Sequence, residues 1–569
     1  MKKLFAFLSL SIPLALFSEA PPPGDAVYPL SEVRPGLVAR GYSVFKGSEI
    51  TSFDAEVIDV QQLGVMKEPM ILCRLKGEFF EKNGVIAAMS GSPLYVDGKF
   101  LGAVAMGWAF SKEPICGATP AESMTRLYAE KTRGGSQSRL PAGGKSADFQ
   151  AFIESAAARS VSPEGLPDLL KAEGFSLSYG SGSEREEGAP GELSPGDMIG
   201  VQLIQGDIEL TAFGTVSSVR GGELLAFGHS FFGLGETDFP VARARVSTVL
   251  PSMLFSFKIS GSGAEVGRMV YDSPFGVVIE KGKKAATIPV EITYRKSDGS
   301  TEKKSVRIIT HPYLSRMLLE MVVNLVHEQL EGSGQEIVLA LDSLEFDFER
   351  GESVVVPPQR FGGVSPSGNL ASFVTGAYAL LAGNNFKKEK VSAVKIGISC
   401  SRGREEGTLL ELKALSKSVR KGRPVELEAV FLPFEGDKVV RRISLPTEGL
   451  PAGEVKIVAG DNLSVYQRIA GSMAELPRDF QTLKSSLNAM PKGGRIYYAA
   501  LADRETAYYD GRRIPDLPPS LQALLPAASA SSAGKSPEKT LIGPLEGPET
   551  GYFDGLIEIK VNVREKGSE

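Results

Sequence analysis

One stretch constrains this chain more than any other. It runs Ala88-Met89-Ser90-Gly91-Ser92-Pro93-Leu94-Tyr95-Val96-Asp97-Gly98-Lys99-Phe100-Leu101-Gly102-Ala103-Val104. An Asp-Gly pair between two apolar runs calls for a tight hairpin, because both central residues of that turn need positive φ. Ahead of the hairpin, small residues surround a serine and let backbone N–H groups approach a developing oxyanion unobstructed. Ser90 is therefore a candidate nucleophile, with the N–H groups of Ala88 and Ser90 as oxyanion donors. The same residues also describe a Gly/Ser hairpin in any β protein.

The neighbouring sequence is a succession of short strands, near 39–46, 49–60, 69–76, 84–88, 93–96, 100–107 and 115–119. Thr51 to Val60 alternates apolar and polar residues, as a strand with one buried face does. So many strands in so short a span predict a small closed barrel, residues 24–131. Thr119-Pro120-Ala121-Glu122 reads as a capping box opening a short helix. Residues 132–193 form a Gly/Ser-rich connector with weak helical patterns near 147–158 and 165–173. Residues 194–310 form a second β block, in which Leu224-Leu225-Ala226-Phe227 leads directly into Gly228-His229.

Beyond it, Leu314, Met317, Leu318, Met321, Val322 and Leu325 lie at helical spacing and predict a long amphipathic helix whose stripe is core. His311 is placed to cap that helix, and His327 falls on its polar side, toward solvent. Residues 311–415 read as this helix plus β structure, and 416–524 as a β-sandwich resembling immunoglobulin-like modules. Residues 525–548 read as a linker and 549–569 as a closing strand.

The Ser90 turn, its hairpin and the returning strand resemble the serine motif of trypsin-like peptidases. They are closer to the SpoIVB-type serine peptidases of bacteria, whose Gly-Met-Ser-Gly-Ser-Pro is matched here except that Ala88 replaces the first glycine. The family's histidine, in a Leu/Phe-Gly-His context, is matched by Phe227-Gly228-His229. The resemblance spans roughly residues 30–280. It implies a permuted chymotrypsin-like double β-barrel, because here the serine half precedes the histidine half. It also implies that Ser90 attacks and His229 removes its proton. The family's aspartate position is Leu75 in this chain, between Arg74 and Lys76, so the third member is open. Asp272 is the preferred carboxylate, with Asp238, Glu78 and Glu81 behind it, and each also fits an ordinary turn carboxylate.

Lys2 and Lys3, an apolar run from Leu4 to Phe17, and Ser18-Glu19-Ala20 read as a signal peptide over residues 1–20. The chain is expected to be exported, to the periplasm or outside the cell, without a stable transmembrane anchor after cleavage. With 63 glycines, 36 prolines and a net charge of −5, a turn-rich β protein fits and a nucleic-acid partner does not. Three histidines and three cysteines, Cys73, Cys116 and Cys400, argue against a metal site and against a disulfide scaffold. Cys73 and Cys116 fall on strands of the serine half, where pairing and buried free thiols are both open. No cofactor is expected. The sequence thus predicts an exported, mainly β serine endopeptidase acting on an envelope protein or on its own chain. The alternatives are a catalytically inactive peptidase-like scaffold and an esterase or amidase. A strand rather than a helix follows Ser90, which argues against an α/β-hydrolase.

Overall fold

The computed structural model describes residues 20–22, 26–63, 68–131, 175–179, 192–332, 336–363, 365–384, 386, 390–403, 406–434, 436–473, 479–509, 512–515, 534–550 and 552–565. The signal-peptide assignment to residues 1–20, apart from Ala20, and the helical patterns near 147–158 and 165–173 fall outside them. The chain is mainly β and divides into two compact units, one holding residues up to Thr287 with Val306–Leu318, the other Ile288–Ser305 with Leu319 onward.

The first unit contains a closed barrel of six strands: β1 (Val38–Lys46), β2 (Glu49–Leu63), β3 (Glu68–Leu75), β4 (Pro93–Val96), β5 (Lys99–Gly107) and β6 (Ile115–Pro120). Their order is β1-β2-β3-β6-β5-β4, closed by pairing of β1 with β4. Alternation decides what faces inward. Phe53, Ala55 and Val57 of β2 are buried, whereas Asp54 and Glu56 point outward to Arg40 and Lys76. The Asp-Gly hairpin forms as predicted, with positive φ at Asp97 and Gly98.

Two expectations are corrected here. No strand covers 84–88; instead Glu78–Asn83 form a short helix, α1, and Ala87 makes only an isolated bridge. The drive is aromatic burial: α1 inserts Phe80 among Phe45, Phe53 and Phe79, at ring separations of 5.8, 5.3 and 5.3 Å. Thr119 also does not cap the helix α2 (Ala121–Thr125). Because β6 runs on through Pro120, Thr119 is a strand residue whose hydroxyl donates to Gly228 O at 2.5 Å, and Glu122 accepts from Leu30 N instead. Cys73 and Cys116 face each other across β3 and β6 as buried free thiols.

The same unit carries β7 (Phe175–Tyr179), β8 (Met198–Gly206), β9 (Ile208–Arg220), β10 (Glu223–Ala226), β11 (Gly235–Leu250), β12 (Phe257–Ser273) and β13 (Gly276–Lys281). Six of these pair in a ring: β8 with β11, β11 with β12, β12 with β13, β13 with β10, β10 with β9, and β9 back to β8. β7 adds to β9.

In the second unit, strands Ile337–Phe348 and Val391–Arg402 pair antiparallel, and Thr287–Arg295 runs parallel to the latter. A four-stranded and a six-stranded sheet share one core, built from Leu427, Phe431, Ile457, Tyr498 and Val561 among others. This sandwich includes Glu406–Ala414 and the last strand, Leu556–Arg564. Residues 534–548 of the expected linker lie within a strand, Gly534–Thr550, that pairs with the otherwise open edge of Arg495–Tyr509. The amphipathic helix spans Leu314–Glu331. His327 is buried rather than solvated, its Nδ1 2.7 Å from the Tyr294 hydroxyl. Among the described residues no helix is long and apolar enough to cross a membrane.

Phe80 is the anchor of α1, so Phe80→Ala should cost roughly 3–5 kcal/mol, read as a lowered denaturation midpoint with an unchanged slope.

Candidate active site

The serine turn is held by backbone bonds on both sides. Met89 N donates to Ile86 O, Ser92 N to Met89 O at 2.8 Å, and Gly91 N to Val104 O at 2.7 Å. Ala88 sits at φ 70° and Gly91 at φ 94°. A non-glycine residue in that region is uncommon and strained, and Ala88 occupies the place where the family resemblance has glycine. Its conformation is therefore the one a glycine would adopt freely. Among the described residues, neither the Ala88 nor the Ser90 N–H has an acceptor within the protein. That is the arrangement an oxyanion site requires.

The histidine turn is built against it. Thr215 N donates to Ser90 O at 2.8 Å, Ser217 Oγ to Gly91 O at 2.7 Å, and Phe227 N to Thr215 O at 3.3 Å. A Cβ on Gly91 would overlap the Thr215 carbonyl and lie 2.6 Å from Phe227 N, and one on Gly228 would lie 3.1 Å from Val104 O. Gly91 adjoins Ser90 and Gly228 adjoins His229, so close backbone contact brings both candidate residues to one junction. Phe227, at φ 66°, is strained as well. Its ring lies over Gly214, where a Cβ would come within 2.7 Å of it, and meets the His229 ring edge-on with centroids 6.0 Å apart.

No hydrogen bond joins Ser90 Oγ to His229. The imidazole Nδ1 lies 2.7 Å from Ser230 O. A carbonyl only accepts, so Nδ1 carries a proton, and in the neutral imidazole Nε2 is then the basic nitrogen. Asp272 does not touch the ring. Its buried carboxylate accepts from the N–H groups of Phe231 and Phe232 at 2.7 Å each and of Leu234 at 3.1 Å. Burial pushes its pKa up, against the pull of those N–H groups and that of Gly233. Asp272 therefore fixes the loop after His229 instead of the imidazole. The other candidate carboxylates are placed otherwise: Asp238 pairs with Arg268, and Glu78 and Glu81 are exposed on α1. Leu75, at the family's aspartate position, is barrel core. His311 caps its helix, Nδ1 accepting from Tyr313 N and Leu314 N.

One residue beneath the turn escaped the sequence. Lys258 on β12 is 5% exposed. Its Nζ is 2.9 Å from Ser43 Oγ and 3.3 Å from Met198 Sδ, and burial lowers its pKa to about 7. Phe255, Phe257 and Ile259 alternate with Ser256 and Lys258, which predicts the lysine outward. The structure buries the Ser256–Lys258 face and leaves Ile259 42% exposed. Among the described residues no cluster of His, Cys, Asp and Glu could hold a metal. No protein-family model, curated protein or solved structure matches this chain.

Two outcomes follow. Gly91→Ala should cost roughly 2–5 kcal/mol, from overpacking and positive φ together, and should appear as a strongly lowered denaturation midpoint. The second concerns Lys258, whose folded pKa lies below its unfolded value, so the unfolded state binds more protons between about pH 7 and the usual lysine range. Wild-type stability should then rise across that window relative to Lys258→Met, by up to about 1.4 kcal/mol per pH unit. Denaturant titrations of both proteins at several pH values measure it.

Proposed function

We propose that the protein is a serine endopeptidase of the SpoIVB type, acting at the bacterial cell envelope on another protein or on its own chain. In this reading the closed barrel and the six-strand ring are the halves of a chymotrypsin-like double barrel in permuted order, and the sandwich of the second unit is an immunoglobulin-like accessory module. The observation that carries the reading is the junction at Gly91. It sets a serine beside two unengaged N–H groups, and against a turn whose histidine is in the Nδ1–H tautomer.

The chemistry follows from those groups. Ser90 Oγ bonds to the scissile carbonyl carbon while its proton passes to His229 Nε2. The carbonyl oxygen, now an anion, is held by the N–H groups of Ala88 and Ser90. His229 then gives its proton to the leaving amine as the C–N bond breaks, and water releases the acyl group by the same route in reverse. Ser230 O accepts from Nδ1 where a carboxylate does in a triad. A carbonyl dipole stabilises imidazolium less than a full charge, so slow turnover is expected.

A second reading, a catalytically silent scaffold, draws on the same two facts: Asp272 is bonded to the loop rather than to the imidazole, and Ser90 Oγ is unbonded to His229. The discriminating experiment is cleavage of an unfolded protein such as casein by the chain lacking residues 1–20. The peptidase reading predicts hydrolysis that Ser90→Ala and His229→Ala each reduce by at least about 10³-fold. No cleavage by a folded protein supports the scaffold, and cleavage that survives both substitutions overturns the assignment of Ser90 and His229.

A further inference from the structure

Behind the serine turn lies a chain of three polar side chains closed off from water. Ser92 and Ser43 are 0% exposed and Lys258 is 5% exposed. Ser92 Oγ lies 2.9 Å from Ser43 Oγ, and Ser43 Oγ 2.9 Å from Lys258 Nζ. The remaining neighbours of Nζ are the Met198 sulfur and the face of the Phe45 ring, 5.2 Å to its centroid. The charged groups on the surrounding strands are engaged elsewhere or exposed. Arg40 of β1 pairs with Asp54, Arg243 of β11 with Asp197 at the entry to β8, and Lys46 and Arg245 are exposed. Tyr42 packs edge-on against Tyr95. Among the described residues Lys258 is thus a buried amine without a counter-charge, and the Phe45 ring offsets only part of that cost.

The proton count of the amine decides which way this chain runs. A neutral amine has a lone pair, so Ser43 O–H can donate to Nζ and Ser92 O–H to Ser43. Every hydroxyl proton then has an acceptor. An ammonium has only donors, so Ser43 Oγ must accept from it, and the two hydroxyls can then use only one of their two protons between them. The other, on Ser43 or on Ser92, is left without an acceptor in a buried site, which is costly. Ser92 belongs to the turn, since its N–H donates to Met89 O and its carbonyl accepts from Val104 N. The amine's strand is tied to the same turn, because Ala87 N donates to Ser256 O and Lys258 N to Ala87 O.

We propose that Lys258 is a proton-controlled positioning residue for the serine turn: its neutral amine, through Ser43 and Ser92, holds the Ala88–Ser92 backbone in the shape that presents Ser90 and its oxyanion N–H groups. The reactive-serine part of this statement rests on the peptidase reading; the coupling of amine to turn does not.

The test has two arms on the mature chain. Lysine labelled with ¹³C at Cε, with the Lys258 signal identified by its loss in Lys258→Met, reports the amine, and the Ser92 amide resonance reports the turn. The two should titrate together with a midpoint at about pH 7, and Ser43→Ala should uncouple them. In the second arm, fluorophosphonate labelling rates of wild type and Lys258→Met are compared from pH 6 to 9. His229 is common to both proteins, so its titration cancels in the ratio. That ratio should rise from about one to roughly tenfold through the Lys258 midpoint. An ordinary lysine midpoint, an unmoved Ser92 amide, or a ratio flat with pH overturns the proposal. Coupled titration in a protein that never labels sinks the peptidase reading and leaves the relay standing.

Discussion

The absence of one side chain holds the candidate site together. At Gly91 the serine turn approaches Thr215 and Phe227 so closely that a Cβ would overlap the Thr215 carbonyl. Three bonds use that proximity: Thr215 N to Ser90 O, Thr215 Oγ1 to Ala88 O and Ser217 Oγ to Gly91 O. The strain at Ala88 and Phe227 is sustained by this contact, because each of those residues lies in one of the two turns it clamps. Positive φ at two non-glycine residues costs on the order of 1–2 kcal/mol apiece, which a well-packed barrel on one side and a six-strand ring on the other can carry.

Polar groups around the junction divide the work by distance. Ser230 O sets the tautomer of His229, Asp272 sets the loop that carries Ser230, and Thr119 holds Gly228 O from the barrel side. None of these supplies a negative charge to the imidazole directly. At Nδ1 the ring is oriented by a carbonyl dipole and not by a carboxylate, which is why the peptidase reading implies modest rates. It also explains how Leu75 stands where the family resemblance has aspartate: the position is enclosed in the apolar barrel core, where a charge would be unpaired.

Much of this was legible in the sequence where one local rule acted alone. The Asp97-Gly98 hairpin, the alternation of Phe53, Ala55 and Val57, and the helix stripe from Leu314 each follow from a single periodicity or turn requirement. Legibility failed where tertiary contacts reassigned a residue. Thr119 has the pattern of a cap but serves the histidine turn. His327 lies on the polar side of its helix by sequence, yet packs against Tyr294. Lys258 alternates with phenylalanines and isoleucine as an outward residue would, but Ser256 and Ser43 recruit its face inward. Asp272, expected as the carboxylate partner of His229, instead accepts from the N–H groups of Phe231, Phe232 and Leu234, a pairing that only the loop's conformation reveals.

The peptidase reading requires that the Ser90 turn and the His229 turn form one reactive centre. Mass-spectrometric mapping of the adduct that a fluorophosphonate leaves on the folded chain lacking residues 1–20 tests this directly. A single phosphonylated residue, Ser90, is expected, with loss of the adduct in His229→Ala while the fold is retained. An adduct on another serine, labelling of Ser90 that is indifferent to His229, or a folded protein that takes no label would contradict it.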